Sequence, residues 1–148
     1  MDRDVEHYMR RSNRRKRSRG VAMLELAIVL PILIMLLLGI IEMGRVMMLN
    51  NVSTNAVREA SRRAIRQGMT NAEVLSTVNG YLDAGGVSQT GRQVYIRNSA
   101  GASVDLTTIK SHQMVSVEVQ LPYANNTWGF TSIMGAKTLV SKSKMRRE

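Results

Sequence analysis

The chain has no cysteine, which excludes disulfides, thiolate metal sites and a cysteine nucleophile, though it does not by itself identify a compartment. Only two histidines occur, His7 and His112, and neither belongs to a ligand-spaced cluster. No Gly-x-Ser-x-Gly elbow surrounds any serine, and no glycine loop of the phosphate-cradling kind is present. These absences leave catalysis no residues to rest on, and no cofactor or metal is expected. Proline is also scarce, at Pro31 and Pro122 alone, so long stretches run without a helix breaker.

What the chain does have is charge and a long apolar run, arranged in sequence. Residues 1 to 20 hold eight Lys/Arg against Asp2, Asp4 and Glu6, a net of +5 within a chain of net +10. Half of the basic excess therefore lies in a short leader, and the high pI says little about a nucleic-acid partner. Tyr8 is the leader's only aromatic, so stacking on exposed bases has almost no support and no specific nucleic acid is expected.

Val21 to Ile41 is almost wholly apolar, with Glu25 its only ionisable residue. As a helix this stretch spans roughly 32 Å, close to the hydrocarbon thickness of a bilayer. It is too long for the core of a removable secretory signal, and it exits through Glu42-Met43-Gly44-Arg45 without a small-residue cleavage site. A twin-arginine signal is set aside on the same grounds. Basic residues crowd the N-terminal flank, so the positive-inside bias puts the leader in the cytoplasm and the remaining chain outside. A carboxylate inside a span costs on the order of 2.5 to 3.5 kcal/mol at its centre, less near an interface, and asks for a reason. The glycine five residues before it suggests one, a processing site between Gly20 and Val21.

Beyond Arg45 the helical spacing continues with Leu49, Val52, Ala56, Ala60 and Ala64 on one face, and Arg58, Arg62 and Arg66 on another. A helix from about Val21 to Gln67 is expected, with Gly68 as its stop and a bend or loosened turn at Pro31. Thr70-Asn71-Ala72-Glu73 fits a capping box, and Val74, Leu75, Val78, Tyr81 and Leu82 follow until Gly85-Gly86. Strands are expected around Val94 and Ile96, at Val115, Val117, Val119 and Leu121, and from Thr138 to Met145 as an edge strand guarded by Lys142 and Lys144. Val104 to Ile109 is ambiguous, with a short strand one reading of it. Pro122 to Gly135 reads as a loop or short helix laying Trp128 and Phe130 over the sheet.

The expected fold class is α+β: a long transmembrane-plus-amphipathic helix packed on a small antiparallel sheet with a second short helix. The divisions are a basic cytoplasmic leader (1–20), a transmembrane helix (21–45), an extracytoplasmic amphipathic helix (46–67) and a small α+β head (68–148). A head of that size makes a marginal core alone, and the apolar face of the long helix would complete it.

Three blocks of this sequence resemble one family. They are Arg19-Gly20-Val21-Ala22-Met23-Leu24-Glu25 running on to Leu30-Pro31, then Gly39-Ile40-Ile41-Glu42-Met43-Gly44-Arg45, then Asn55-Ala56-Val57-Arg58-Glu59-Ala60-Ser61-Arg62. In order and spacing they resemble the TadE-like minor pilins of tight-adherence pilus systems, within the wider type IV prepilin-like group. The charged end Met145-Arg146-Arg147-Glu148 is similar to that of many members. One departure is Leu26, where the family often carries an aromatic after the glutamate.

The resemblance implies a pilin-like fold in the bacterial inner membrane, with prepilin peptidase cutting after Gly20. It further implies Glu25 pairing with the free amine of Val21 in a neighbouring subunit, and other pilins and assembly proteins as partners. Glu42 with Arg45, and Arg58, Glu59 and Arg62, are candidate helix–helix or interface contacts, set against an anchoring pair and a solvated charged face. Two other readings stay open at this point: a pseudopilin of a secretion machine, and an uncleaved single-pass protein with an outer binding domain.

Overall fold

The computed structural model describes the backbone of residues 3–127 and 137–147, and the side chains of residues 20–127 and 137–147. The expected aromatic loop contacts of Trp128 and Phe130 lie outside the described residues. The chain divides into two compact units, Met1–Ile40 and Ile41–Glu148. Helix α1 (Arg3–Ala64) crosses that division, α2 is Asn71–Ala84, and three strands follow: β1 (Gln93–Asn98), β2 (Met114–Pro122) and β3 (Thr138–Arg146). A 3-10 turn at Tyr123–Asn125 follows β2. The fold class is α+β, as the spacing predicts.

The first unit is helix. It begins near Arg3 rather than at Val21, because residues 3–19 contain neither glycine nor proline and are rich in arginine, a good helix former. Pro31 lies inside the helix. From Val21 to Ile41 the large apolar side chains other than Leu38 stand exposed, Met23 at 71 % and Met35 at 73 %. One helix in the described residues is long and apolar enough to cross a membrane. Its most apolar window has a mean hydropathy of 2.9 and no buried share.

In the second unit the remaining part of α1 packs on the sheet. Leu49, Ala56, Val57, Ala60 and Ala64 are buried in one cluster with Val74, Val78 and Leu82 of α2 and Val115, Val117, Val119 and Leu121 of β2. The four-residue steps of the alanines put methyl groups, not long side chains, on the buried face, and this lets a helix lie close. Ser53 and Ser61 extend that face. The Ser53 and Ser141 hydroxyls are 2.7 Å apart, and Ser61 donates to the Ser143 carbonyl at 3.4 Å.

Helix α1 ends at Ala64, four residues before Gly68. Arg66 N–H already donates three residues back to Arg63, tightening the turn, and Gly68 then adopts φ +81° in the left-handed region. Helix α2 opens on the expected capping box. Thr70 Oγ accepts from Glu73 N–H at 3.4 Å, and the Glu73 carboxylate accepts from Thr70 N–H at 2.8 Å. Val74, Thr77, Val78 and Leu82 are buried, while Tyr81, expected on that face, is 44 % exposed. Gly85, just past α2, lies against Val52 of α1, where an added Cβ would come within 2.5 Å of a Val52 methyl.

The sheet is antiparallel with order β1-β2-β3. On β2 the odd residues face the helices as expected. Ser116 and Glu118 on the opposite face are buried too, 4 % and 6 % exposed, which alternation alone does not predict. Their strand is central, flanked by Tyr95 and Arg97 on β1 and by Lys142 and Lys144 on β3. Val104 to Ile109 forms turns rather than a strand, with one bridge between Arg97 and Ser103. Asp105 accepts from Thr107 N–H at 2.9 Å, and Asn71 of α2 both donates to the Val104 carbonyl and accepts from Leu106 N–H. Side chains thus take the backbone bonds a strand would have used. Leu106, fully buried, still reaches the core from this loop.

Candidate processing and assembly site

Gly20 and Val21 sit within α1, both exposed, and a side chain added at Gly20 would meet no atom within 4 Å. Glycine is about 1 kcal/mol worse than alanine in a helix interior, so the helix is locally cheapest to open at Gly20. Glu25 follows one turn after Val21, on the same side of the helix, roughly 6 Å along the axis. Its carboxylate is exposed, among Leu24 at 65 %, Leu26 at 56 % and Ile28 at 63 % exposure. Among the described residues none pairs with it. In water this arrangement costs little, but in hydrocarbon it is a charge on an apolar surface, which costs free energy unless a partner offsets it.

A second cluster gathers inside the other unit around Glu42 and Arg45. Glu42 is 7 % exposed and accepts from the Thr127 hydroxyl at 3.0 Å. Arg45 donates from Nε to the Asn126 carbonyl and from one terminal nitrogen to the Gly86 carbonyl, each at 3.2 Å. Asn126 in turn accepts from Ser88 N–H at 2.8 Å and donates to the Pro122 carbonyl at 3.1 Å. The loop after α2 and the turn after β2 are therefore both fastened to α1 at one place. The Tyr123 hydroxyl is buried there and, among the described residues, meets no partner in hydrogen-bond geometry. Burial first, and then the neighbouring Glu42 carboxylate, push its pKa up to about 12.

The third group of expected contacts separates. Arg58 and Arg62 are exposed, whereas Glu59 pairs with Arg63 at 3.4 Å, one turn on. Arg63 also donates to Thr77 Oγ at 3.1 Å and so links α1 to α2. The sequence does not single out Thr127 and Asn126, since their partners on α1 lie some eighty residues away, nor Tyr123, whose neighbour Glu42 is as distant. Only Asn126, a polar residue directly after a buried strand and turn, carried any local sign. An open groove runs along α2, lined by Ala72, Ser76, Gly80 and Ala84 at four-residue steps and flanked by Arg63 and Tyr81. Among the described residues no group of three His, Asp or Glu side chains gathers to hold a metal.

No curated protein and no solved structure matches this chain. Residues 20–62 do match a family model described as TadE-like protein, and this range begins at Gly20 and includes Glu25, Glu42, Arg45, Arg58, Glu59 and Arg62. The chain carries a TadE-like domain from residue 20 to residue 62.

Proposed function

We propose that this protein, associated through its TadE-like domain with a tight-adherence pilus system, is a minor pilin or pilus-assembly component that works by helix packing, not by catalysis. It enters the bacterial inner membrane as a single-pass protein with the leader in the cytoplasm and the α+β head outside. Prepilin peptidase removes residues 1–20 by cutting between Gly20 and Val21. The mature helix then packs among other pilins, its Glu25 carboxylate pairing with the new amine of a neighbouring subunit and setting the axial register.

The observation that carries this reading is Glu25 itself: an exposed carboxylate, without a partner among the described residues, on an exposed apolar helix surface and five residues after Gly20. Its place in the matched range supports the reading. A membrane-embedded charge is retained at a cost only where a partner offsets it, and a processed N-terminus supplies a cation at the right depth. Glu25→Ala is expected to leave the leader cleaved while lowering incorporation into sheared pili, read by immunoblot of the pilus and membrane fractions. Incorporation of Glu25→Ala at the wild-type level would sink the assembly role.

A further inference from the structure

The outer edge of β3 presents a row of backbone groups that nothing pairs with among the described residues, and its lysines bar only a like-charged strand. Tyr123 N–H donates to the Lys137 carbonyl and Arg147 N–H to the Gln113 carbonyl, at 2.9 Å each, on the two ends of the β2–β3 ladder. In an antiparallel pair the hydrogen-bonded positions alternate, so the odd residues of β3 spend their backbone groups on β2. Val140, Lys142 and Lys144 therefore turn their N–H and C=O groups away from β2, toward the edge. Among the described residues nothing pairs with them there.

The same even positions point their side chains away from the helices. Lys142, Lys144 and Arg146 form a line of cations, spaced roughly 7 Å apart along the strand. Lys142 is partly answered by Glu118 at 3.3 Å, and Arg97 lies 4.0 Å from the same carboxylate. Lys144 and Arg146 have no carboxylate among the described residues. Val140, 54 % exposed, precedes the cations on the same face.

From this geometry we propose that β3 docks an extended acidic segment of a protein partner, which adds as a fourth strand. Its carboxylates, at alternate positions, meet Lys144 and Arg146, and an apolar residue meets Val140. A second copy of β3 does not fit, because antiparallel pairing would set lysine against lysine on one face. An anionic lipid surface would answer the cations but leave the row of edge N–H and C=O groups unpaired. Main-chain bonds give such an addition its affinity, and the alternating side chains give it specificity.

The test uses the full chain in non-ionic detergent and a labelled short peptide alternating glutamate with threonine, followed by fluorescence anisotropy. A peptide of the same composition with its glutamates in one block is the control. The alternating peptide is expected to bind, and the block peptide to bind about tenfold more weakly, as the loss of two exposed ion pairs implies. Lys144→Glu with Arg146→Glu should weaken the alternating peptide about tenfold or more on the same reasoning. Val140→Pro keeps every cation and the β2–β3 ladder but blocks the edge, and should also abolish binding. Equal binding of the two peptides, retention by Val140→Pro, absence of peptide binding by the wild-type chain, or binding only to phosphatidylglycerol vesicles would each overturn the proposal. The charge-reversal pair lies on the exposed face, so it tests docking even where the proline variant unfolds.

Discussion

Two stretches of α1 make the most informative contrast in the molecule. From Val21 to Ile41 the helix carries leucine, isoleucine, valine and methionine around its whole circumference, all large and all exposed except the half-buried Leu38. From Leu49 to Ala64 the apolar positions narrow to one face, and that face is mostly alanine and serine, fully buried. A helix that lies in hydrocarbon gains from large apolar side chains on every side, whereas one that lies on a sheet gains from small ones on a single side. The same backbone element thus serves two solvents, and the change falls near Glu42 and Arg45, where polar bonds to Thr127, Asn126 and Gly86 begin.

That contrast can be broken most forcefully at a leucine on each side. Leu49→Ala removes a fully buried side chain and should destabilise the head by about 2–5 kcal/mol, whereas Leu33→Ala in the exposed stretch should change it by less than ~0.5 kcal/mol. Denaturant unfolding in detergent, followed by circular dichroism, measures both. Similar losses at the two positions would erase the distinction between the stretches. Ala60→Leu sharpens the same comparison from the opposite side: with no space at the α1–sheet contact, it should cost about 1–3 kcal/mol in that assay.

A smaller effect is expected from acid. Glu118 is held below the ordinary glutamate value near 4.5, first by the hydrogen bond from Gln120 and then by Lys142 and Arg97. A carboxylate whose folded pKa is depressed contributes stability above its unfolded pKa, and that contribution is lost as pH falls through the folded value. The head should therefore lose stability as pH drops below about 4.5, and Glu118→Gln should flatten that acid limb. An unchanged limb in the variant would assign the acid sensitivity to other carboxylates.

Much of this fold was legible because it is written in short-range pattern. The β2 alternation, the Thr70–Glu73 box and the alanine steps of α1 each declare a local geometry, and the structure keeps all three. What stayed hidden depends on distant neighbours. The burial of Ser116 and Glu118 is one such feature, because nothing local reveals that long side chains of both flanking strands lie beside them. Val104 to Ile109 offers strand-forming residues, but Asn71, more than thirty residues earlier, captures its backbone. Within the candidate site, Gly20, Val21 and Glu25 were legible from composition, since one carboxylate in an apolar run stands out by itself. The roles of Glu42 and Arg45 inside the head were not, because an (i, i+3) spacing on a helix suggests only each other.

The mature N-terminus tests the central claim most directly. Intact-mass measurement of the protein isolated from its native host should show the loss of residues 1–20 and a chain beginning at Val21, with the full-length mass restored when prepilin peptidase is deleted. A full-length mass in the presence of active peptidase would contradict processing at Gly20, and with it the pairing of Glu25 to a new amine.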